Sequence, residues 1–567
     1  MTTYEKYEAW LANPYFDESI KDELRGIAGQ EREIEERFYQ DLKFGTAGLR
    51  GIMGAVTNRM NVYTVRKATQ GLANYILKNN GQERGVAIAC DSRHMSREFC
   101  EEAALCLAAN GIKAYVFDSL RPTPELSYAV RKLGCISGIN VTASHNPPEY
   151  NGYKVYWEDG AQITPPHDTG IMAEVDAVSD FSRVKMISKG DAVSQGLYIT
   201  IGKEIDDCYI EELKKNVIHP QCVKEAGSKI KIVYTPLHGA GNLLVRRLLR
   251  ELGFENVYVV AEQEMPNGDF PTVSYPNPED PKAFTLALAL AKEKDADLVL
   301  ATDPDSDRIG VFVKDTKSGE YIRLNGNVMG CLLTEYELGQ RLEAQGKLPE
   351  DGKVVRSIVT SRMVDAIAGN YGVGVVPCLT GFKWIGKAIL QMEQSGGTYL
   401  FGFEESFGYL VGTHARDKDA VVSAMAFCEA AAYYYQRNMT LWDAILAMYE
   451  KYGYFEDTVI SITHKGKEGL DLIQNIMIEL RKNPPKEIGE YHAEKFLDYS
   501  KGIDEIPVSN VLQFNLGKGV WLAIRPSGTE PKIKLYFGVI GKNMADARQK
   551  SSELERAVTE LLERVSN

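Results

Sequence analysis

The sequence predicts several α/β domains followed by a smaller α+β module, and three observations carry that prediction. Short runs rich in β-formers alternate with polar turns and helical stretches of about 10–15 residues, the pattern of βα units built around parallel or mixed sheets. The alternation stops after Phe455, where strand-like runs and one amphipathic terminal helix take over. A chain of 567 residues is also too long for one core; at roughly 150 residues per domain it holds three to five.

Taken in order, Val86–Cys90 is an apolar strand candidate followed by a helix near Ser96–Asn110. Ala114–Phe117 precedes helical Pro124–Leu133, and Ile136–Val141 is a third strand. The unit returns at Ile230–Tyr234, Val257–Val260, Leu298–Ala301, Val354–Thr360 and Thr398–Phe401. Polar or Gly/Pro-rich stretches near 190–205, 320–326 and 453–458 are the expected joints. In the last module Val459–Thr463, Val520–Ile524 and Lys532–Phe537 read as strands. Ala545–Val565 reads as a helix, because Ala547, Leu554, Val558, Leu561 and Val565 recur at helical spacing.

Composition narrows the function classes. The formal charge is −13 with no basic tract, which argues against nucleic acid as a partner. Anionic substrates stay open, since a site can be cationic on an acidic protein. Nine scattered cysteines, never in a Cys-x-x-Cys pair, fit reduced thiols better than disulfides or zinc. Met1 to Glu36 is charged throughout and lacks a signal-peptide apolar run, and no stretch of about 18 apolar residues suggests a membrane span. A cytoplasmic, soluble protein is expected, monomeric or homodimeric.

Four loops carry the chemistry. Thr142-Ala143-Ser144-His145-Asn146-Pro147 follows a strand, so Ser144 lies where α/β proteins place ligands. A loop serine can equally cap the next element. A Ser-His dyad is not expected, because neighbours in an extended chain face opposite ways, and no Gly-x-Ser-x-Gly elbow occurs here. Asp303, Asp305 and Asp307 stand at i, i+2 and i+4 after an apolar strand, which in extended chain puts three carboxylates on one side for a hard cation. Packing them together without a cation would be costly. An EF-hand is excluded, since Arg308 and Lys314 stand where glycine and glutamate belong.

The third loop, Gly402-Phe403-Glu404-Glu405-Ser406, offers carboxylates to sugar hydroxyls, although two adjacent acids are also an ordinary solvated turn. The fourth, Arg525-Pro526-Ser527-Gly528-Thr529, combines a bidentate cation, two hydroxyls and a glycine that frees backbone N–H groups for an anion. Phe44-Gly45-Thr46-Ala47-Gly48-Leu49-Arg50-Gly51 lacks the Gly-Lys-Ser/Thr end of a nucleotide P-loop. A serine hydroxyl, hard oxygen ligands and a cationic loop are together the parts that phosphoryl transfer uses.

In this order the motifs resemble the α-D-phosphohexomutases, the phosphoglucomutase branch most closely, from about Phe44 to Lys534. The resemblance implies four domains around a central cleft, three α/β with mixed sheets and one α+β, expected at 1–203, 204–324, 325–455 and 456–567. It implies a phosphoserine at Ser144, with His145 and Asn146 shaping its surroundings and Lys154 and Arg50 at the reacting phosphate. Mg²⁺ would be held by Asp303, Asp305, Asp307 and a phosphoserine oxygen, beside Arg308. Glu404 and Ser406 match residues that bind sugar hydroxyls at C3 and C4. Thr380, Gly381 and Lys383 match a cleft-lining segment, and Arg525, Ser527, Gly528 and Thr529 match the distal phosphate loop. Lys418, in Arg416-Asp417-Lys418-Asp419, is a candidate general base or an ion-paired helix-start residue, with Lys154 the other candidate base.

The implied reaction moves phosphate between C1 and C6 of glucose phosphate through glucose 1,6-bisphosphate. Phosphomannomutase and phosphopentomutase activities are the rivals, and the charged N-terminal extension resembles the branch that includes phosphopentomutase-type relatives. An aspartyl-phosphate phosphatase, with Asp303 as nucleophile and Asp305 as acid/base, leaves the Ser144 and Arg525 loops unused. A non-catalytic sugar-phosphate sensor has no need of both Ser144 and the three aspartates.

Overall fold

The structure is a computed structural model that describes residues 1–45, 48–464, 466–527 and 532–566. Its first sheet has six strands, β1 (Gly48–Ile52), β2 (Val86–Cys90), β3 (Ala114–Phe117), β4 (Ser137–Val141), β5 (Tyr150–Trp157) and β6 (Tyr198–Ile201), in the order β1-β5-β4-β2-β3-β6. β4, β2, β3 and β6 run parallel, while β5 and β1 are antiparallel additions at one edge. β2 and β4 are buried at every residue, as expected for central strands covered by helices on both faces.

The second sheet contains β7 (Lys231–Thr235), β8 (Asn256–Val259), β9 (Leu298–Thr302), β10 (Ile309–Lys314) and β11 (Tyr321–Arg323), ordered β11-β10-β9-β7-β8. The third contains β12 (Gly352–Ser357), β13 (Gly374–Cys378), β14 (Thr398–Glu404) and β15 (Gly408–Val411), ordered β13-β12-β14-β15. Both are mixed, parallel inside with an antiparallel hairpin at one side.

In the last unit β16 (Tyr454–Thr463), then the small hairpin β17 (Glu487–Ile488) and β18 (Tyr491–His492), precede β19 (Lys495–Asp498), β20 (Leu512–Asn515), β21 (Trp521–Pro526) and β22 (Lys532–Gly541). Its main sheet, β16-β22-β21-β20-β19, is antiparallel throughout. The terminal helix Met544–Ser566 buries Ala547, Leu554, Val558 and Leu561 against it.

One helix organises the centre. Ala420–Tyr435 is apolar on every side and buried along nearly its whole length, the signature of a helix enclosed by protein. It packs against helices Pro220–Ala226 and Gly241–Leu252 of the second unit, so the segment just before it, residues 416–419, is held at the junction of three units.

The structure adds detail in three places. Strands run through the stretches near 190–205, 320–326 and 453–458: β6, β11 and β16, with β16 beginning at Tyr454 opposite Gly541. These are edge strands with one half-exposed face, so their polar residues imitate a loop. β14 likewise extends past Phe401 to Glu404. The charged N-terminus folds into helices Thr3–Ala12, Glu18–Gly26 and Glu31–Phe38, whose Tyr7, Trp10, Phe16, Leu24, Ile34 and Phe38 form a core with Val56 and Tyr63. Glu23 Oε2 accepts from Ala55 N at 3.0 Å, which braces the turn following β1. The nine cysteines are free. Among the described residues no helix is long and apolar enough to cross a membrane.

Candidate active site

Three strands end at one place: β4 delivers Ser144, β9 delivers Asp303, and β14 delivers Glu404, each at or just past the strand's C-terminal end. Thr142 Oγ1 donates to Asp91 Oδ2 at 2.6 Å and accepts from Ser144 N at 2.8 Å. Ser144 is buried in the left-handed region at φ +52°. Its Oγ donates to Asp303 Oδ2 at 2.8 Å and lies 3.2 Å from His145 Nδ1. The expectation that Ser144 and His145 face apart therefore fails, because the loop is a tight turn and not an extended chain. Burial, with Arg308 and Arg50 nearby, holds the His145 imidazole well below its ordinary pKa, hence neutral.

Asp303, Asp305 and Asp307 do converge, with carboxylate oxygens within 4.8 Å of one another, but not by strand alternation. The loop turns: Ser306, at φ +52°, donates its N–H to Asp303 O at 2.9 Å, and Asp303 Oδ1 accepts from the N–H groups of Asp307 and Arg308 at 3.1 and 3.0 Å. Two buried lysines meet the acids. Lys154 Nζ, from β5, lies 2.7 Å from Asp305 Oδ2 and 3.4 Å from Asp307 Oδ2. Lys418 Nζ lies 3.1 Å from Asp307 Oδ2 and 3.0 Å from Asp417 Oδ1.

The protonation pattern follows from these contacts. Burial, with Asp305 and Asp307 adjacent, pushes Asp303 well above the usual carboxylate range. Burial would raise Asp305 too, but Lys154 and a hydrogen bond from Thr123 override it and hold it ionised. Burial would lower Lys418, yet Asp307, Asp417 and Glu404 raise it above the ordinary lysine value. Lys154 is raised in the same way by Asp305 and Asp307. In this arrangement Lys418 is ion-paired with both Asp307 and Asp417.

The trio fits a divalent cation. All three side chains are buried, they offer only hard oxygen donors, and Asp305 Oδ1 and Asp307 Oδ1 have no hydrogen-bond partner. An orphaned buried carboxylate oxygen is expensive unless something cationic reaches it.

Glu404 closes β14 opposite Gly408, and its Oε1 accepts from Gly381 N. Burial and adjacent Glu405 raise its pKa to about 7. Ser406 lies in the following turn, partly exposed; Thr380 is partly buried. Gly381 adopts φ +105°, a conformation glycine tolerates, and so turns its N–H toward Glu404. Lys383 begins the next helix with Nζ 5.4 Å from the Trp384 ring centroid, its pKa lowered by burial. Arg308 pairs with Glu279 through Nη1. Arg50, at the exposed rim on β1, reaches Asn146 Oδ1 only at 3.4 Å.

From the last unit, Arg525 on β21 stands opposite Lys534 on β22, and Ser527 N donates to Lys532 O at 2.7 Å. Like charges opposite each other on a sheet repel unless an anion lies between them. Gly528 and Thr529 lie outside the described residues. Burial lowers the Lys534 pKa against the opposing charges of Glu279 and Glu405.

Sequence reasoning missed Thr123 and Glu279. Thr123 Oγ1 donates to Asp305 Oδ2 at 2.7 Å and its N–H donates to Asp305 O at 2.8 Å, across 182 positions of chain. No local pattern marks it, because its partner belongs to another unit. Asp417 was noticed without a role; it accepts from Tyr156 Oη at 2.8 Å and Gln162 Nε2 at 3.0 Å as well as from Lys418.

Comparison with known proteins agrees with this geometry. Family models described as phosphoglucomutase/phosphomannomutase α/β/α domains I, II and III match residues 41–181, 207–319 and 325–452, and the family's C-terminal domain matches 474–550. A phosphoglucomutase of Staphylococcus saprophyticus is 36% identical over 555 residues, covering 95% of this chain and 97% of that protein. A phosphopentomutase of Mus musculus is also 36% identical, over 559 residues, covering 93% and 88%. The open form of parafusin, an exocytosis-sensitive phosphoprotein and phosphoglucomutase from Paramecium, shares the fold with a TM-score of 0.70 at 19% identity, over 93% of this chain and 95% of that one. Matched across all four of its domains, the chain belongs to the phosphoglucomutase/phosphomannomutase family of α-D-phosphohexomutases.

Proposed function

We propose that this enzyme interconverts α-D-glucose 1-phosphate and glucose 6-phosphate through a phosphoserine at Ser144 and a glucose 1,6-bisphosphate intermediate. The observation that carries the reading is the 2.8 Å contact of a buried, left-handed serine hydroxyl with a buried trio of aspartates. In the first half-reaction the Oγ–P bond of phospho-Ser144 breaks and a bond forms from phosphorus to the free sugar hydroxyl, whose proton ends on Ser144 Oγ. In the second half the other phosphate returns to Ser144 and the proton to the sugar. Asp303 and neutral His145 are the groups at hand to hold that proton at Oγ. Lys154 and Lys418, kept as ammonium ions, offset charge on the moving phosphoryl group.

Asp303, Asp305, Asp307 and a phosphoserine oxygen would hold Mg²⁺, which when bound supplies Lewis-acid polarisation of the phosphoryl oxygens. Glu404 would accept from sugar hydroxyls, while Arg525 and Ser527 grip the phosphate that is not reacting. Water has to be excluded throughout, since its attack would turn transfer into hydrolysis.

Peptide mass spectrometry should find phosphate on Ser144 in native protein, and a coupled assay should show glucose 6-phosphate formed from glucose 1-phosphate. Unmodified Ser144 after incubation with glucose 1,6-bisphosphate would end this reading. The mouse phosphopentomutase, as similar as the staphylococcal phosphoglucomutase, makes pentose 1-phosphates the second substrate class to test.

The loops divide the work in a measurable way. Ionised Glu404 only accepts hydrogen bonds, so it suits hydroxyls and repels phosphate. Arg525 is permanently cationic and suits phosphate in either orientation of the intermediate. Glu404→Gln should therefore change the ratio of kcat/KM among glucose, mannose and ribose 1-phosphates. Arg525→Ala should lower all three alike, by about 2–3 kcal/mol if the contact is desolvated. The opposite pattern would exchange the loop roles.

A pH profile adds an independent check. With Glu404 at about 7, the accepting carboxylate is present above that pH and lost below it. Wild-type kcat/KM should fall as pH drops through about 7, and Glu404→Gln, which cannot titrate, should lack that limb. An identical acid limb in the variant would assign it to another group.

A further inference from the structure

The backbone of the Ser144 loop is held by one buried arginine. Arg93 follows β2 and is 3% exposed. Its Nη2 donates to Ser144 O at 2.6 Å and to Asn146 O, and its Nη1 donates to Pro147 O at 2.7 Å and Tyr150 O at 3.0 Å. Four carbonyls of one loop thus converge on one guanidinium, a use of its planar donor fork that a lysine could not reproduce. Asp91 steadies the guanidinium at 3.3 Å from Nε, and Phe270 of the second unit covers it, 5.1 Å from ring centroid to Cζ.

Ser144 occupies a backbone region that a non-glycine residue keeps only where its surroundings hold it. Both of its backbone groups are tied: the N–H to Thr142 Oγ1, the carbonyl to Arg93. Asp91 joins the two ties, accepting from Thr142 Oγ1 with one carboxylate oxygen and from Arg93 N and Ser96 Oγ with the other. With the backbone fixed, the Ser144 side chain points at Asp303.

We propose that Arg93 is a positioning residue for phosphoryl transfer: it holds Ser144 in the left-handed conformation that aims Oγ at the aspartate trio, and through Phe270 it keeps the loop in register with the unit that carries that trio. The proposal rests on Ser144 being the phosphorylated residue. Arg93 touches neither the trio nor the serine hydroxyl, so its effect falls on the rate of transfer and not on sugar or metal affinity.

The test follows transfer of phosphate from glucose 1,6-bisphosphate to dephosphorylated Ser144 by quenched-flow and intact mass, in full-length wild type and Arg93→Lys. The variant keeps the charge and loses the fork. Its transfer rate and kcat should fall on the order of 100-fold, the loss expected from a small misplacement of a reacting atom. KM for glucose 1-phosphate and the half-saturating Mg²⁺ concentration should stay within about threefold of wild type, which marks an interaction used only in the transition state. In Arg93→Ala, millimolar guanidinium ion should restore part of the rate in a saturable manner.

A transfer rate in Arg93→Lys within about threefold of wild type, or a KM rising in step with the loss of kcat, would overturn the proposal. Should an Arg93 variant not fold, Thr142→Val removes the other tie while leaving the guanidinium in place. It should slow the same transfer about tenfold or more at unchanged KM, and an unaltered rate there would equally overturn the tethering argument. If wild-type Ser144 itself accepts no phosphate, the phosphoserine reading fails first; if it does and Arg93→Lys matches it, only the positioning role fails.

Discussion

Replacing Ser144 by alanine is expected to reduce mutase turnover by several orders of magnitude, since removing a nucleophile closes the covalent route. The fold should survive. Asp303 loses one donor, but its Oδ1 keeps the N–H groups of Asp307 and Arg308. A single hydrogen bond contributes only about 1 kcal/mol net. The variant should also show no gain of mass when incubated with glucose 1,6-bisphosphate. Near-normal turnover in purified protein with unchanged Tm would remove Ser144 from the chemistry and revive an aspartyl-phosphate route through Asp303.

The second large effect is expected from Asp305→Asn. Asp305 ties together Lys154, Thr123 and an orphaned oxygen available to a cation. An amide presents one oxygen in place of two and no charge, so it is a poorer ligand for a hard cation. It also removes the nearer of the two charges paired with the buried Lys154 ammonium, leaving Asp307 at 3.4 Å, and breaking a buried pair on one side typically costs about 3–5 kcal/mol. Activity should need at least about tenfold more Mg²⁺, with KM for glucose 1-phosphate at saturating metal changed far less. A Mg²⁺ titration superimposable on wild type would take Asp305 out of the metal site. Tight preferential binding of zinc by the wild type would count against an all-oxygen site.

Much of the fold was legible because the central strands are short, apolar and covered on both faces, so β2, β4 and β9 announce themselves without their neighbours. Edge strands were not. β6 and β11 went unread, and of β16 only Val459–Thr463 was read as a strand, because the half-exposed residues of an edge strand look like loop until the partner is in place. The N-terminal helices were read as charge alone, although Trp10 stacks on Phe16 at 3.9 Å and the apolar side of all three helices is buried. Two local arguments gave the wrong geometry for a common reason. Treating 303–307 and 144–145 as extended chain put the acids together by alternation and the Ser-His pair apart, whereas Ser144 and Ser306 both turn through the left-handed region.

By itself, the sequence determined which kinds of side chain stand at the ends of which strands: a serine, three aspartates, a glutamate and an arginine, each next to a run that folds on its own preferences. Those preferences depend on neighbours a few positions away, and hydrophobic periodicity records them. Only the tertiary structure decided what each group meets. Ser144 and Asp303 are 159 positions apart, Lys154 and Asp305 151, and Thr123 and Asp305 182. No periodicity spans such separations, because the contacts come from whole sheets packing around the buried helix Ala420–Tyr435. The charge state of the site lay beyond the chain order for the same reason. Whether Lys418 is a base or an ammonium depends on Asp307 standing 3.1 Å away in a place water does not reach, and that distance is set by how two units pack.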